Sequence, residues 1–194
     1  MTNQSIGVCI TGSFCTFSKV LPYIEGLAKT NSVTAVLSPA SAETDTRFFL
    51  ADDFKTRLTE ITGHHLMTTI AEAEQIGPKK LFDVLLVAPC TGNTMAKLAH
   101  NITDTPVLMA IKSQLRNERP VVLAFSTNDA LGGAAANIGV LMNRRNIYFV
   151  PFGQDDPIAK PRSAAAHFDR MEAAMDAALL GNQLQPILLA PKTD

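Results

Sequence analysis

A chain of 194 residues, 46% hydrophobic and 18% charged with a net charge of -1, can bury one sizeable core, and its basic residues form no long run. That excludes a nucleic-acid groove or an anionic membrane surface as the main partner, and no apolar run is long enough to span a bilayer. Without a charged-then-apolar signal segment the expected location is cytoplasmic, and the expected organisation is one domain over residues 1–194, with a final helix and a short tail at 181–194. The sparse surface charge suits association with other subunits.

Residues 5–11 alternate and then run apolar before Gly12-Ser13, and Val20, Leu21, Ile24, Leu27 and Ala28 follow at helical spacing. This is a strand, a tight turn and a helix. A second strand at 33–37 ends at Ser38-Pro39. From Asp45 the pattern predicts a helix with Leu50, Phe54, Leu58 and Ile61 on one face and Gly63 as its stop. Leu66 and Met67 read as a short extended piece, and 71–75 as one or two helical turns that Gly77-Pro78 end.

The apolar strand at 84–87 then breaks at Pro89 and restarts as a helix near Asn93. Such a turn aims backbone N–H groups past the strand's C-terminal end, where an anion or a polar cofactor can meet them. Thr91 and Asn93 add side-chain donors and acceptors, and Gly92 lets the backbone come close to a ligand. The same residues also describe an ordinary turn with Asn93 as N-cap, and residue physics alone does not separate the two. Lys97 lies one turn on, across from the sheet-facing Met95 and Leu98.

A helix at 107–114, with Asp104 as its candidate cap, leads to a strand at 121–125 that empties into Ser126-Thr-Asn-Asp-Ala-Leu-Gly-Gly133. A helix through Ile138, Leu141 and Met142, a strand at 147–150, and a final helix with Phe168, Met171, Met175 and Leu179 on its core face complete the chain. Strands and helices alternate without repeats, the α/β pattern of a doubly wound parallel sheet. Ligands of that architecture gather at the C-terminal strand ends, where the turns at Gly12, Ser38, Pro89 and Ser126 would converge.

Gly12-Ser13 is not a dinucleotide fingerprint, since Gly-x-Gly-x-x-Gly is absent and no acidic residue closes the second strand. It suits a monophosphate, with the Ser13 and Ser38 hydroxyls as ligands. Cys9, Cys15 and Cys90 have no metal or redox spacing; Cys9 reads as a buried strand residue, and Cys15 and Cys90 as half-buried fillers or cofactor contacts. His64, His65, His100 and His167 show no visible partner and assemble no catalytic set, so they read as structural or solvated. Arg47, Lys112, Arg116 and Arg119 either bind a carboxylate-bearing substrate or form solvated faces and subunit contacts.

Ala88-Pro-Cys-Thr-Gly-Asn-Thr-Met-Ala-Lys-Leu-Ala99 resembles the Pro-Ala-Ser-Ala-Asn-Thr signature of the homo-oligomeric flavin-containing cysteine decarboxylase superfamily, which is flavodoxin-like and binds FMN between subunits. A closer resemblance, over residues 6–188, is to one branch, the B subunits of dipicolinate synthase. It rests on Thr11-Gly-Ser13, Glu43-Thr-Asp-Thr-Arg-Phe48, Thr103-Asp-Thr-Pro-Val-Leu-Met109, Leu115-Arg-Asn117, Arg119-Pro-Val-Val122, Ser126-Thr-Asn-Asp-Ala-Leu-Gly132, Asn146-Ile-Tyr-Phe149 and Pro151-Phe-Gly-Gln-Asp155.

The resemblance implies a flavodoxin-like or Rossmann-like α/β/α sandwich that binds FMN through Gly12, Ser13, Ser38, Thr91, Asn93, Thr94, Ser126 and Asn128, with no metal. It also implies a homo-oligomer, a trimer or a multiple, in the mother cell of a sporulating bacterium. Its partner is the A subunit of dipicolinate synthase, which carries the NAD(P), and its substrate is a small dicarboxylate for which Arg47, Lys112 and Arg116 are the candidate ligands. Two departures argue against oxidative decarboxylation. Thr68-Thr-Ile-Ala-Glu-Ala-Glu74 lacks the His of the decarboxylases, and Phe125-Ser-Thr-Asn128 keeps only the Asn of their Pro-x-Met-Asn segment. Either the chain is a flavin-binding oxidoreductase subunit, or it is a non-catalytic partner that keeps the fold. Residues 152–162, held extended by Pro157 and Pro161, are expected to dock the A subunit or to close the homo-oligomer's own cofactor site.

Overall fold

The structure, a computed structural model, describes residues 1–190; of the expected tail, 191–194 lie outside the described residues. A mostly parallel sheet carries helices on both faces. Its strands are β1 (Ser5–Ile10), β2 (Ser32–Leu37), β3 (Val84–Cys90), β4 (Val121–Thr127), β5 (Ile147–Phe149), β6 (Phe152–Gly153) and β7 (Ala164–Ala166), in the order β2-β1-β3-β4-β7-β6, with β5 also paired to β4. Strands β1 to β5 pair in parallel, as the alternation with helices requires, because a parallel neighbour needs a crossover.

Side-chain alternation along β1 divides the core. Ile6, Val8 and Ile10 point to the face covered by α1 (Phe17–Ala28), α3 (Ala51–Thr62) and α9 (Met171–Leu179). Cys9 points to the face covered by α4 (Ile70–Glu74), α5 (Ile76–Lys79), α6 (Gly92–Ala99), α7 (Pro106–Leu115) and α8 (Ala135–Met142). On the first face Phe17 stacks on Phe54 with ring centroids 4.3 Å apart, and full burial of such a ring stabilises the fold by about 1.5–3 kcal/mol.

Several expected boundaries move for identifiable reasons. Helix α3 begins at Ala51, not Asp45, because the Asp45 carboxylate accepts the Ala51 N–H at 2.8 Å. Leu50, expected in the core, is therefore the N-cap and stands 54% exposed. Gly77-Pro78 ends nothing: it lies inside α5, whose stop is Lys80 in the left-handed region. Pro89 does not stop the ladder either, since pairing shifts register after Val87 and resumes at Cys90 opposite Phe125. Thr105, not Asp104, caps α7, and Asp104 instead holds Lys97 Nζ at 2.6 Å. Phe168 falls in a 3-10 turn ahead of α9.

The short helix α2 (Pro39–Glu43) and the antiparallel pair β6 and β7 were not foreseen. Strand β7 is Ala-Ala-Ala, which carries no strand propensity, and its pairing with Ser126 and Thr127 of β4 makes one edge of the sheet antiparallel. Residues 152–162 consequently form a closed loop above this pair. Asp156 accepts from Ala159 N–H through its side chain and from Lys160 N–H through its carbonyl, both at 2.9 Å, so the loop turns back where the two prolines were expected to extend it.

Glu72 closes a capping box at α4, accepting from Thr68 N–H, Thr69 N–H and the Thr69 hydroxyl, and lies 2.7 Å from His65 Nε2. The His65 contact first, and the Thr69 and Thr68 bonds after it, hold the Glu72 carboxyl down at about 2 from an ordinary 4.5. A depressed carboxyl contributes stability above its unfolded value and loses it as pH falls through the folded one. Glu72→Ala is expected to cost about 1 kcal/mol at neutral pH. The gap between wild type and variant should narrow as pH falls from 4.5 toward 2, which urea titrations across that range will measure.

Candidate functional site

Strands β2, β1, β3 and β4 end at one edge of the sheet, and there the chain is laced from turn to turn. Thr11, 1% exposed, is the central knot: its N–H and its hydroxyl both donate to the Pro89 carbonyl (3.2 and 2.8 Å), and the hydroxyl accepts the Thr91 N–H (2.9 Å). Toward β2, the Ser38 N–H (3.0 Å) and the Ser41 hydroxyl (2.8 Å) donate to the Ile10 carbonyl. Two glycines mark the closest approaches. A Cβ on Gly12 would stand 3.1 Å from Ala40 Cβ, and one on Gly92 would stand 2.8 Å from Thr127 Oγ1 and 3.2 Å from Asp129 Oδ1. The first turn thus touches the second, and the third touches the fourth.

All eight residues expected to hold a cofactor lie along this edge, though not all present free donors. Gly12 and Ser13 are half-buried, and Ser13 does not cap the 3-10 turn that follows it. Ser38 is buried as the N-cap of α2, its Oγ accepting the Ser41 N–H at 3.3 Å. Thr91, not Asn93, caps α6: it accepts the Thr94 N–H at 3.2 Å, and the Thr91 and Thr94 hydroxyls are 3.0 Å apart. Asn93 is left exposed on the first turn, where the leading N–H groups of a helix have no acceptor within it. Ser126 pairs with Ala165, and the exposed Asn128 has its Oδ1 3.5 Å from Ser163 Oγ.

Of the candidate substrate ligands, Arg47 belongs to the loop that follows β2 and α2 at this edge. Lys112 and Arg116 do not come here. They sit at the C-terminal end of α7, which runs back toward the start of β4, and Arg116 lies against Gly77, its Cδ 3.2 Å from where a Cβ would stand. Arg119 binds the Lys80 and Phe82 carbonyls at that same far edge.

Cys9, Cys90, His64 and His65 supply no nucleophile or base at the turns. Cys9 is buried in β1 as expected, Cys90 is fully buried and not half-buried, and burial pushes the Cys90 thiol up to about 12 and Cys9 higher still. Cys15 is exposed in the 3-10 turn. His64 and His65 do have partners, Ser32 Oγ at 3.2 Å and Glu72, away from this edge.

Four residues here were missed from the sequence: Thr11, Ser41, Thr127 and Asp129. The Thr127 hydroxyl donates to Asp129 Oδ1 at 2.5 Å, which sets a carboxylate beside the positive end of the α6 dipole. The visible signals were a polar residue ending the apolar run of β1 and an acid inside the turn at 126–133. Two clefts, of about 460 Å³ beside Lys29 and Asn31 and about 390 Å³ beside Arg145 and Gln183, open near the starts of the strands and not at the turns. No helix among the described residues is long and apolar enough to cross a membrane.

Comparison with known proteins agrees with this architecture. The family described as Flavoprotein matches residues 1–177. The dipicolinate synthase B subunit of Bacillus subtilis (strain 168) is 44% identical over 190 residues, covering 97% of this chain and 95% of that protein. The crystal structure of the dipicolinate synthase B subunit from Bacillus halodurans C superposes with a TM-score of 0.90 at 41% identity over 98% of each chain. The FMN-dependent cysteine decarboxylase SpaF shares the fold alone, with a TM-score of 0.64 at 19% identity over 93% of this chain and 96% of that one. A chain whose parallel strands empty into laced polar turns, and which keeps this identity along almost its whole length, belongs to the flavoprotein family and within it to the B subunits of dipicolinate synthase.

Proposed function

We propose that this chain is the flavin-binding redox subunit of a dipicolinate synthase, acting with the A subunit to form the pyridine dicarboxylate from a dihydro- or hydroxytetrahydro-dipicolinate during sporulation. The observation that carries the reading is the lacing of four turns by Thr11, Ser41 and Gly92, which fixes a row of donors and close backbones at one sheet edge. These residues fit FMN in a particular direction. The Asp129 carboxylate already faces the α6 N-terminus, so a second anion is disfavoured there, and the phosphate is assigned to Gly12 and Ser13, with Ser38 fixed beside them as the cap of α2. Asn93, Thr94, Ser126 and Asn128 remain for the uncharged, hydrogen-bonding body of the cofactor. A flavin bound there supplies an acceptor for the hydride that a ring C–H gives up on aromatisation.

The chain's own work is to hold those donors without reorganisation and to leave the reacting face open to substrate. NAD(P) belongs to the A subunit, since the first turn here has no dinucleotide fingerprint. We read the remaining wall of the site as lying on another copy of the chain, in a trimer or a multiple of one in the mother-cell cytoplasm, and the sparse charge supports the association with other subunits. The test is to incubate the purified chain with FMN, desalt it, and record the visible spectrum. Flavin absorbance should travel with the protein, and Ser13→Ala should weaken retention about tenfold with the fold intact. A colourless wild-type protein would leave the alternative, a scaffold for the A subunit without its own redox role.

A further inference from the structure

We infer that Arg47, stacked on Phe48, is the residue that holds a carboxylate of the pyridine dicarboxylate at the mouth of the laced edge. The inference rests on the flavin-binding reading above and names a substrate contact within that same site.

Four observations lead to it. The Arg47 guanidinium carbon lies 4.8 Å from the centroid of the Phe48 ring, so a planar cation is pre-placed on an aromatic platform instead of sweeping through solvent. Both side chains are exposed, Phe48 at 44%, and among the described residues Arg47 forms no ion pair with Asp or Glu. Its fork of N–H donors is open to a ligand.

The loop that carries the pair is tied by its own hydrogen bonds. Thr46 Oγ1 accepts the N–H groups of Phe48 (3.1 Å) and Phe49 (3.3 Å), the Thr46 N–H donates to the Phe49 carbonyl (2.9 Å), and Asp45 ties the loop to α3. Little ordering entropy is then lost when a ligand is gripped.

The loop is also in the right place. Phe49 packs on Phe17 with centroids 5.9 Å apart, Phe17 on Phe14 at 5.5 Å, and the Phe14 ring comes within 3.6 Å of where a Cβ on Gly12 would stand. A chain of aromatic rings therefore runs from the first turn of the site to Phe49, in the loop that carries Arg47. The turns themselves offer neutral donors and the Asp129 carboxylate, and Arg162 lies against Gly132 on the β4 side, so on the side of the first turn a doubly anionic substrate finds its countercharge at Arg47. A guanidinium matches a carboxylate with two parallel hydrogen bonds, which a lysine cannot do.

The experiment is calorimetric titration of dipicolinate into the FMN-loaded full-length chain and its variants, with flavin loading read from visible absorbance in each. Arg47→Gln should weaken dipicolinate binding at least about tenfold, with flavin loading unchanged. Arg47→Lys should recover only part of that loss, because charge returns without the fork. Arg162→Gln is the control: its side chain lies against Gly132 in the turn after β4, so it alters the charge of the same edge away from the aromatic rings. Equal weakening by Arg47→Gln and Arg162→Gln would show general electrostatics and overturn the inference. So would unchanged affinity in Arg47→Gln, or a flavin-loaded wild type that does not bind dipicolinate, and both would leave the flavin reading standing. Failure of the wild type to take up FMN is a separate result, which removes that reading and this inference with it.

Discussion

Thr11→Val should unfold at markedly lower urea than wild type, by about 2–3 kcal/mol, and should no longer retain flavin through desalting. The substitution keeps the shape of the side chain and removes only the hydroxyl. That hydroxyl donates to the Pro89 carbonyl and accepts the Thr91 N–H, at a position 1% exposed. The carbonyl keeps one bond, from the Thr11 N–H, whereas the Thr91 N–H is stranded. A stranded donor that is even partly buried costs more than a hydrogen bond contributes, because the group is desolvated without compensation. The damage is also local to function: Thr91 caps α6, so losing the tie frees the third turn from the first. Thr11→Ser, which restores the hydroxyl and lacks only a methyl, should recover most of the stability and the flavin. A Thr11→Val protein as stable and as yellow as wild type would show that the lacing does not organise the site.

Thr11 also shows where the sequence was legible and where it was not. Periodicity finds strands and helices that bury an apolar face, so β1, β2, β3, β4 and the core of α1, α6 and α9 could be read from Ile6, Val8, Ile24, Met95 and Met175. The turns could be read as ligand-bearing because Gly, Ser, Thr and Asn cluster there after apolar runs. Which hydroxyl ties the structure and which faces outward was not legible. Ser38 and Thr91 look like ligands in sequence and are caps in the structure, while Thr11 looks like the tail of a strand and is the tie. Such choices depend on registers between strands that pattern does not encode. Strands β6 and β7 failed for a related reason: three alanines pair through backbone alone, and only the antiparallel partner makes them a strand. Lys112 and Arg116 failed because helix direction, not residue type, decides to which edge a cation is delivered.

The second large effect concerns turnover. Purified and FMN-loaded, this chain alone should form no dipicolinate from the lysine-branch intermediate in a continuous assay, the isolated A subunit should form none or very little, and a mixture should form it steadily. Aromatising a partly reduced pyridine removes a hydride and a proton, and both need a destination at every cycle. The turns of the laced edge offer hydroxyls, amides and the Asp129 carboxylate, which already accepts from the Thr127 hydroxyl and stands against the α6 N-terminus. The hydride, for its part, needs a soluble carrier that leaves after each cycle, and the first turn lacks the glycine pattern that binds a dinucleotide. Two needs of the reaction therefore point to the other protein of the pair. Varying the ratio of the two proteins gives the sharper measurement: the rate should rise as the A subunit is added and then level off at a fixed ratio, as for a complex. If this chain alone sustained dipicolinate formation over many cycles, the dependent-partner reading would be wrong, and the proton and hydride acceptors would have to be sought on its own surface.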